Sequence, residues 1–481
     1  MADETELKLE LSSESADTLL ASDLFGGEPQ VVQQNSIYFD TPDHALRAAG
    51  YSLRIRKEGE ARKQTVKATK ASTAGLFARS EWEFPVERDE PVIDHVTPLR
   101  GELGPIIDQL VPQFKVLVTR HKWTLTEAQS EIEVVLDIGV AEVGDRQTPI
   151  CEIELELKDG NLQGLFILAR KIEATVPFSF GVMAKSERGY RLLEPVQVSV
   201  KAEPVELDRQ MSPNNAFQAI AYSCLRHFRL NETIFATRQN AAALHQTRVA
   251  LRRLRSAYSL FKPIIRDTEA TRLQDELKWL ASVLGEARNI DVLLADPSSA
   301  AFQATLLQAR TSAYRDATAA LESSRARALM LDMQEWLACG PYLSDRPAEG
   351  AGLTSVEFAA ASLDRLRKKI KKHSGDLAKA DDEHRHQVRK DAKRLRYAAE
   401  FFASLFDTKK SLRRYKRFIS SMEALQDQLG VLNDMATKPQ VFENLGIEPD
   451  MAPSDKASKD KLLDKAEGAV EDLLEAKRFW R

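Results

Sequence analysis

The chain has 481 residues, 43% hydrophobic and 29% charged, with 21 Gly and 19 Pro, enough to bury full cores and to divide into two or three domains. Collagen-like, disulfide-stapled and wholly disordered classes are excluded, and the scattered cysteines Cys151, Cys224 and Cys339 suit core packing better than a zinc cluster. No apolar run approaches the roughly 18 residues of a membrane span, and the acidic start Met1-Ala2-Asp3-Glu4 is unlike a signal peptide, so a cytoplasmic protein without a membrane partner is expected.

The formal charge of −4 is unevenly divided: residues 1–200 carry 22 Lys and Arg against 33 Asp and Glu, and residues 201–481 carry 46 against 39. The first part reads as strands, with alternating runs at Thr5 to Leu11, Ser36 to Phe39, Tyr51 to Arg56, Arg62 to Ala68, Glu81 to Val86, Lys115 to Leu125, Glu131 to Asp137 and Cys151 to Lys158. Helices are expected at Ser13 to Leu24, Leu99 to Leu110 and Leu162 to Ile172. Eight strands suggest a closed sheet. From about Ser212 the pattern changes to Ala, Leu, Arg, Gln and Glu with apolar spacings of three and four, which predicts an all-helical region. The expected organisation is α+β multidomain. Residues 1–200 form an eight-stranded antiparallel β-tunnel with flanking helices, 201–211 a proline-marked linker, and 212–481 an all-α, duplicated four-helix-bundle domain.

Alternate side chains of a strand share one face. Glu4, Glu6 and Lys8 therefore point together while Thr5, Leu7 and Leu9 face the other way. The same rule groups Arg54 with Arg56, Glu81 with Glu83, and Glu152 with Glu154, Glu156 and Lys158. In a closed sheet such faces turn either to water or to a lumen. A charged lumen is costly to dehydrate unless a ligand fills it, and carboxylates beside Lys and Arg suit a divalent cation together with a phosphorylated anion.

These residues resemble a known family. Glu4-Thr5-Glu6-Leu7-Lys8 matches the ExExK signature of the CYTH superfamily, the triphosphate tunnel metalloenzymes. The resemblance continues in order through Tyr38-Phe39-Asp40-Thr41-Pro42, Leu53-Arg54-Ile55-Arg56, Lys67, Arg79, Thr119-Arg120, Asp137, Cys151-Glu152-Ile153-Glu154-Leu155-Glu156 and Lys185-Ser186-Glu187-Arg188-Gly189-Tyr190. It implies that Glu4, Glu6, Asp137, Glu152 and Glu154 hold Mg²⁺ or Mn²⁺, and that Lys8, Arg54, Arg56, Lys67, Arg79, Arg120, Lys185 and Arg188 bind a triphosphate. Glu4, Glu6 and Lys8 are the implied catalytic residues. Which carboxylate orients the water stays open, as do the places of Glu81, Glu83 and Glu156. The implied reaction is hydrolysis of inorganic triphosphate to pyrophosphate and phosphate, with an organic triphosphate such as thiamine triphosphate, or a non-catalytic polyphosphate-binding protein, as alternatives.

In the helical region, His245, Arg248, Arg252 and Arg255 fall within an arc of about 80° on a helix wheel. The pattern recurs 141 residues later as His386, Arg389, Lys393 and Arg396. Leu284-Gly285 with Arg288 and Asn289, and Leu429-Gly430 with Asn433 and Asp434, follow the two stripes. An internal duplication is expected, with both basic stripes facing one groove that takes a polyanion. Stacking aromatics are sparse along the stripes and the chain is mildly acidic overall, so nucleic acid is not the expected partner. The stripes resemble the CHAD domain, whose association with inorganic polyphosphate implies that ligand for these eight side chains.

Overall fold

In the computed structural model, every residue is described except 1, 69–73, 94–96, 344–351, 376, 378 and 448–455, together with the side chains of 2–4, 78, 79 and 456–458. Two compact units emerge, one of residues 1–200 with 322–339, the other of 201–321 with 340–481.

Among its described residues the first unit has nine strands: β1 (Ala2–Glu10), β2 (Gln30–Asp40), β3 (Tyr51–Glu58), β4 (Ala61–Ala68), β5 (Leu76–Pro85), β6 (Val111–Glu127), β7 (Ser130–Val143), β8 (Arg146–Asp159) and β9 (Ser179–Phe180). Their order is β5-β4-β3-β2-β6-β7-β8-β1-β9, and β1 also pairs with β5, so the first eight strands close into an antiparallel ring. The short β9 extends the ring beside β1 at Leu9 and Glu10. Closure leaves no long open edge. Five helices accompany the ring: α1 (Ser13–Leu20), α2 (Ala45–Ala48), α3 (Leu99–Leu103), α4 (Gln163–Thr175) and α5 (Lys185–Leu193). The expected helix to Leu110 stops early, since Gly104 takes φ +57° ahead of Pro105 and the chain continues as a 3₁₀ turn.

Strand alternation puts Leu53, Ile55 and Val66 on the outer face, where Leu46 of α2 and Leu99 of α3 cover them. The opposite parity fills one end of the interior with apolar groups, an arrangement the sequence reading did not include. Tyr38, Phe114, Val116, Val118, Ala141 and Ile150 pack there with Tyr190 of α5. A Cβ on Gly189 would lie 2.2 Å from the Phe114 ring, so α5 can press against β6 only with glycine at that position. The Tyr190 hydroxyl donates to Asp40 Oδ2 at 2.6 Å, and Asp40 Oδ1 accepts the Thr41 and Leu46 amides. Asp40 and Tyr190 thus anchor α5, whose first residue is Lys185. Replacing Tyr190 by Phe removes a hydrogen bond to a buried carboxylate and is expected to cost about 2 kcal/mol in denaturant unfolding.

The remaining helices are α6 (Pro213–Arg238), α7 (Ala241–Phe261), α8 (Thr268–Ala295), α9 (Gln303–Leu321), α10 (Ser324–Cys339), α11 (Ser355–His373), α12 (Asp382–Phe401), α13 (Lys409–Asn444) and α14 (Lys456–Glu475). Helix α10 belongs to the first unit. In the second unit, α6 to α9 pack in sequence, as do α11 to α14, and α7 meets α12. Helix caps repeat the duplication. Asn240 caps α7 and Asp381 caps α12, and Asp267 caps α8 and Thr408 caps α13, both pairs 141 residues apart. Among the described residues no helix is long and apolar enough to cross a membrane.

Candidate active site

The ring encloses a cavity of about 680 Å³ whose described wall includes nine cationic side chains and six carboxylates. Next to the apolar plug lies a layer of buried ion pairs. Lys185 Nζ stands 2.8 Å from Asp137, 2.7 Å from Glu152 and 2.8 Å from Glu154. Lys8 Nζ is 2.9 Å from Glu152 and also pairs with Glu154. Arg120 grips Asp137 with two hydrogen bonds of 2.8 and 2.6 Å. Arg188 pairs with Glu10 and approaches Glu152 Oε2 at 3.5 Å.

Burial opposes the charge on Glu152, but Lys185, Lys8 and Arg188 overcome it and hold the carboxyl at about 2. Burial likewise works against the charge of Glu154, yet Lys185 and Lys8 bring it well below the usual carboxylate range. Lys185, buried among the three carboxylates, is held well above an ordinary lysine because Asp137, Glu152 and Glu154 outweigh its desolvation.

The main chain of Lys8 is fixed from the strand edge opposite β8. Its N–H donates to Gly75 O at 2.8 Å, and its carbonyl accepts from Gly181 N at 2.9 Å. Both partners must be glycine. A Cβ on Gly75, which has φ +113°, would lie 2.9 Å from the Phe180 ring, and one on Gly181 would lie 2.6 Å from Lys8 Cγ.

Deeper into the open part of the cavity the balance turns positive. Arg54 is half-buried, and its buried Nε has no hydrogen-bond partner among the described residues. Burial works against its charge, though Tyr38 and Glu81 more than compensate. Arg56 is pulled down first by Arg54, then by burial and Arg120, despite its 3.0 Å bond to Glu83. Lys67 pairs with Glu81 at 2.9 Å. Towards the other end stand the pairs Lys63–Glu83 at 2.9 Å, Lys122–Glu133 at 2.5 Å and Lys158–Glu156 at 2.5 Å.

Of the expected tunnel residues, Glu6, Lys8, Arg54, Arg56, Lys67, Arg120, Glu154 and Lys185 line the cavity. Asp137 and Glu152 have no exposed surface, and Arg188 turns to Glu10 and Glu152. The side chains of Glu4 and Arg79 lie outside the described residues, although their backbones pair across β1 and β5. Lys63, Lys122 and Lys158 were not among the expected residues. Strand parity groups Lys158 with Glu154 and could have found the other two, since Lys63 shares a face with Lys67 and Lys122 with Arg120.

Among the described residues no three His, Cys, Asp or Glu side chains form a ready metal cage. The donor chemistry nevertheless suits a hard divalent cation: the acids are all oxygen donors, Glu6 and Glu154 face the cavity, and buried Glu152 Oε2 accepts no hydrogen bond among the described residues.

The helical unit carries a second cationic cluster. Arg252 Nε donates to the Tyr397 hydroxyl at 2.8 Å, joining α7 to α12. His245 is lowered to about 4 by burial and then by Arg288, Arg252, Arg248 and Lys393. Arg248 falls to about 10 through burial, Arg252 and Arg288. Lys393 falls to about 7 through burial, Arg252 and Arg389. A Cβ on Gly285 would sit 2.6 Å from Arg248 Nη1, so the glycine of α8 makes room for that guanidinium. Arg248 Nη1 and Arg389 Nε have no hydrogen-bond partner among the described residues.

The stripes are not equivalent. Arg396 is paired with Glu400 at 2.8 Å and Glu423 at 3.1 Å, and Arg255 is exposed, with Arg394 as a neighbouring charge. His386 Nδ1 lies 2.7 Å from Asn433 Oδ1. The structure therefore brings together His245, Arg248, Arg252, Arg389 and Lys393 with Arg288, while Arg396 is compensated by Glu400 and Glu423 and Arg255 is exposed.

Residues 2–190 match the CYTH domain and residues 219–443 match the CHAD domain. The chain is thus a protein in which a CYTH domain is followed by a CHAD domain. It is similar to the inorganic triphosphatase of Haemophilus influenzae, with 33% identity over 172 residues, 34% of this chain and 47% of that protein. It spans about half the length of that curated relative. Among solved structures it resembles the CHAD domain of the plant Ricinus communis, with 28% identity, 57% of this chain and 96% of that one, at TM-score 0.48. The Hippeastrum protein HpAC1, described with a dominant triphosphatase activity, shares 21% identity over 39% of this chain and 95% of its own, at TM-score 0.31.

The buried pairs set an acid limit. Glu152 titrates at about 2 in the fold against an ordinary 4.5, so its contribution to stability is complete above 4.5 and is lost as pH falls towards 2. Glu152→Gln leaves Lys8 and Lys185 short of a counter-charge and is expected to lower unfolding stability at pH 7 by about 3–5 kcal/mol, measured by denaturant titration.

Proposed function

We propose that the tunnel hydrolyses inorganic triphosphate to pyrophosphate and phosphate with Mg²⁺ or Mn²⁺, and that the helical cluster binds inorganic polyphosphate. The observation that carries the first reading is the arginine group: Arg54 and Arg120 are close enough to Arg56 to disfavour its charge, inside a cavity whose described lining has nine cationic side chains and six carboxylates. Such a site calls for a compact, highly charged anion. An inorganic one fits best. Tyr38 is the one aromatic of the described wall, and its ring is 4% exposed and stacked on Phe114 at 4.7 Å, leaving no platform for a base or a thiazole. The triphosphatase name of the Haemophilus relative favours the same reading.

In this reading Glu4, Glu6, Glu152 and Glu154 hold the divalent cation, with Asp137 behind them keeping Lys185 and Arg120 in place. The cation, when bound, supplies positive charge to the phosphoryl oxygens. Lys8, Arg54, Arg56, Lys67, Arg79, Arg120 and Lys185 orient the chain of phosphates and stabilise the charge that develops as a water oxygen bonds to the terminal phosphorus and the bridging P–O bond breaks. Pyrophosphate departs with the bridging oxygen. Arg188 acts through Glu10 and Glu152 rather than on the phosphates.

Phosphate release from inorganic triphosphate, thiamine triphosphate, ATP and long-chain polyphosphate with Mg²⁺ tests the reading, turnover of the first being expected to exceed the others. Arg54→Met should lower kcat/KM for triphosphate at least about 100-fold. It relieves repulsion on Arg56, so thermal stability should hold or rise. Parental turnover in this variant would remove Arg54 from the substrate site.

For the helical unit, the supporting feature is that Arg252 and Arg288 depress the charge of His245 and Arg248, and Arg252 and Arg389 that of Lys393. Lys393 titrates at about 7 in the fold against 10.5 as a free side chain. Between those values the unfolded chain binds more protons, so the stability of this unit should rise with pH across that window. A bound polyanion reverses the effect by favouring the charged amine. Calorimetry of long-chain polyphosphate binding at pH 8, in buffers of different ionisation enthalpy, is expected to show proton uptake that shrinks in Lys393→Met. Binding without proton uptake in the parent would contradict this placement of Lys393.

A further inference from the structure

Helix α10 lies far along the chain from the ring, yet it is part of the first unit. It is clamped to α4, which packs on β6, β7 and β8. Arg170 of α4 reaches Asp332 at 2.8 Å and pairs also with Glu335, and Arg327 reaches Glu173 at 3.3 Å. From this braced helix Gln334 extends with 2% of its surface exposed, and its Nε2 donates to the carbonyl of Ala74, itself fully buried. The Gln334 Oε1 is buried and accepts no hydrogen bond among the described residues. Burying a primary amide with one end unsatisfied is unfavourable, and a methionine or leucine would fill the same space without that cost. The bond from Nε2 is what the glutamine supplies.

That bond falls at a sensitive place. The residue after Ala74 is Gly75, whose carbonyl accepts the Lys8 amide at 2.8 Å and whose position is confined by the Phe180 ring. Lys8 in turn sets its amine against Glu152 and Glu154 at the base of the cavity. One unbroken series of contacts therefore runs from α10 through Ala74 and Gly75 to Lys8.

We propose that Gln334 is a positioning residue for the tunnel: by holding the Ala74 carbonyl it fixes the bend from which Gly75 holds the Lys8 main chain. The consequence for turnover rests on the reading of the tunnel as a triphosphatase, whereas the consequence for the Lys8 amide does not. A small displacement of a group that meets the reacting phosphate lowers the rate more than it weakens binding.

The test uses the full chain with Gln334→Met, which keeps the volume and removes the donor. Expected are a fall in kcat for inorganic triphosphate with Mg²⁺ of about five- to tenfold, the worth of one buried hydrogen bond, with KM within about twofold, and faster hydrogen exchange at the Lys8 amide by a comparable factor. Gln334→Glu adds a signature that a space-filling role does not give. As a carboxylate it repels the Ala74 carbonyl, but as pH falls its protonated form donates to that carbonyl, so its activity relative to Gln334→Met should recover on the acid side. Unchanged Lys8 amide protection in Gln334→Met overturns the proposal whatever the turnover, and lost protection with parental turnover overturns its link to catalysis. If the parent itself releases no phosphate from triphosphate, the functional reading fails alone and the Lys8 amide still decides the role of Gln334.

Discussion

Closing eight antiparallel strands into a ring forces one side chain in two into a shared interior. Charges that would lie apart on an open sheet are thereby pressed into one volume. The ring resolves this by layers. Apolar groups fill one end, beside them Asp137, Glu152 and Glu154 are locked to Lys8, Lys185 and Arg120, and beyond these the charge of Arg56 is opposed by Arg54 and Arg120. The inner pairs keep Glu152 and Glu154 ionised despite burial.

The helical unit reaches a related state by another route. Two copies of a four-helix motif put α7 against α12, and the stripe of one copy meets the stripe of the other. Here Arg252 and Arg288 face His245 and Arg248, and Arg252 and Arg389 face Lys393, so burial and repulsion lower all three. The copies have diverged. Arg396 has acquired Glu400 and Glu423, and His386 meets an asparagine where His245 is surrounded by guanidinium groups.

Much of this was legible in the sequence because period-two and period-3.6 patterns are local. The eight strands of the ring and the 141-residue offset followed from spacing, whereas spacing left the charged faces open to water or to a lumen and the family resemblance implied the tunnel. What escaped were consequences of neighbours distant in sequence. The resemblance placed Asp137 and Glu152 in the tunnel but could not show that Lys185 would bury them. Helix α5 was not anticipated, since nine residues with three cations and a glycine carry little periodic signal and its position depends on Gly189 meeting Phe114. Other omissions were avoidable: Glu400, one turn after Arg396, already signalled compensation, and Lys63, Lys122 and Lys158 share strand faces with residues that were named. Gln334 carried no sequence signal, because its partner is a main-chain carbonyl 260 residues away.

With the fully buried Asp137 and Glu152 counted beside the wall cations they pair with, the described enclosure keeps a surplus of one positive charge, nine against eight, and this carries a stoichiometric implication. An enclosure of this kind approaches electroneutrality only when the total valence of what it admits comes near that surplus. A bare multivalent anion overshoots it, whereas the same anion escorted by a divalent counterion comes closer. Anion and counterion should therefore be taken up as a neutralising couple, each raising the affinity for the other even where they share no ligand.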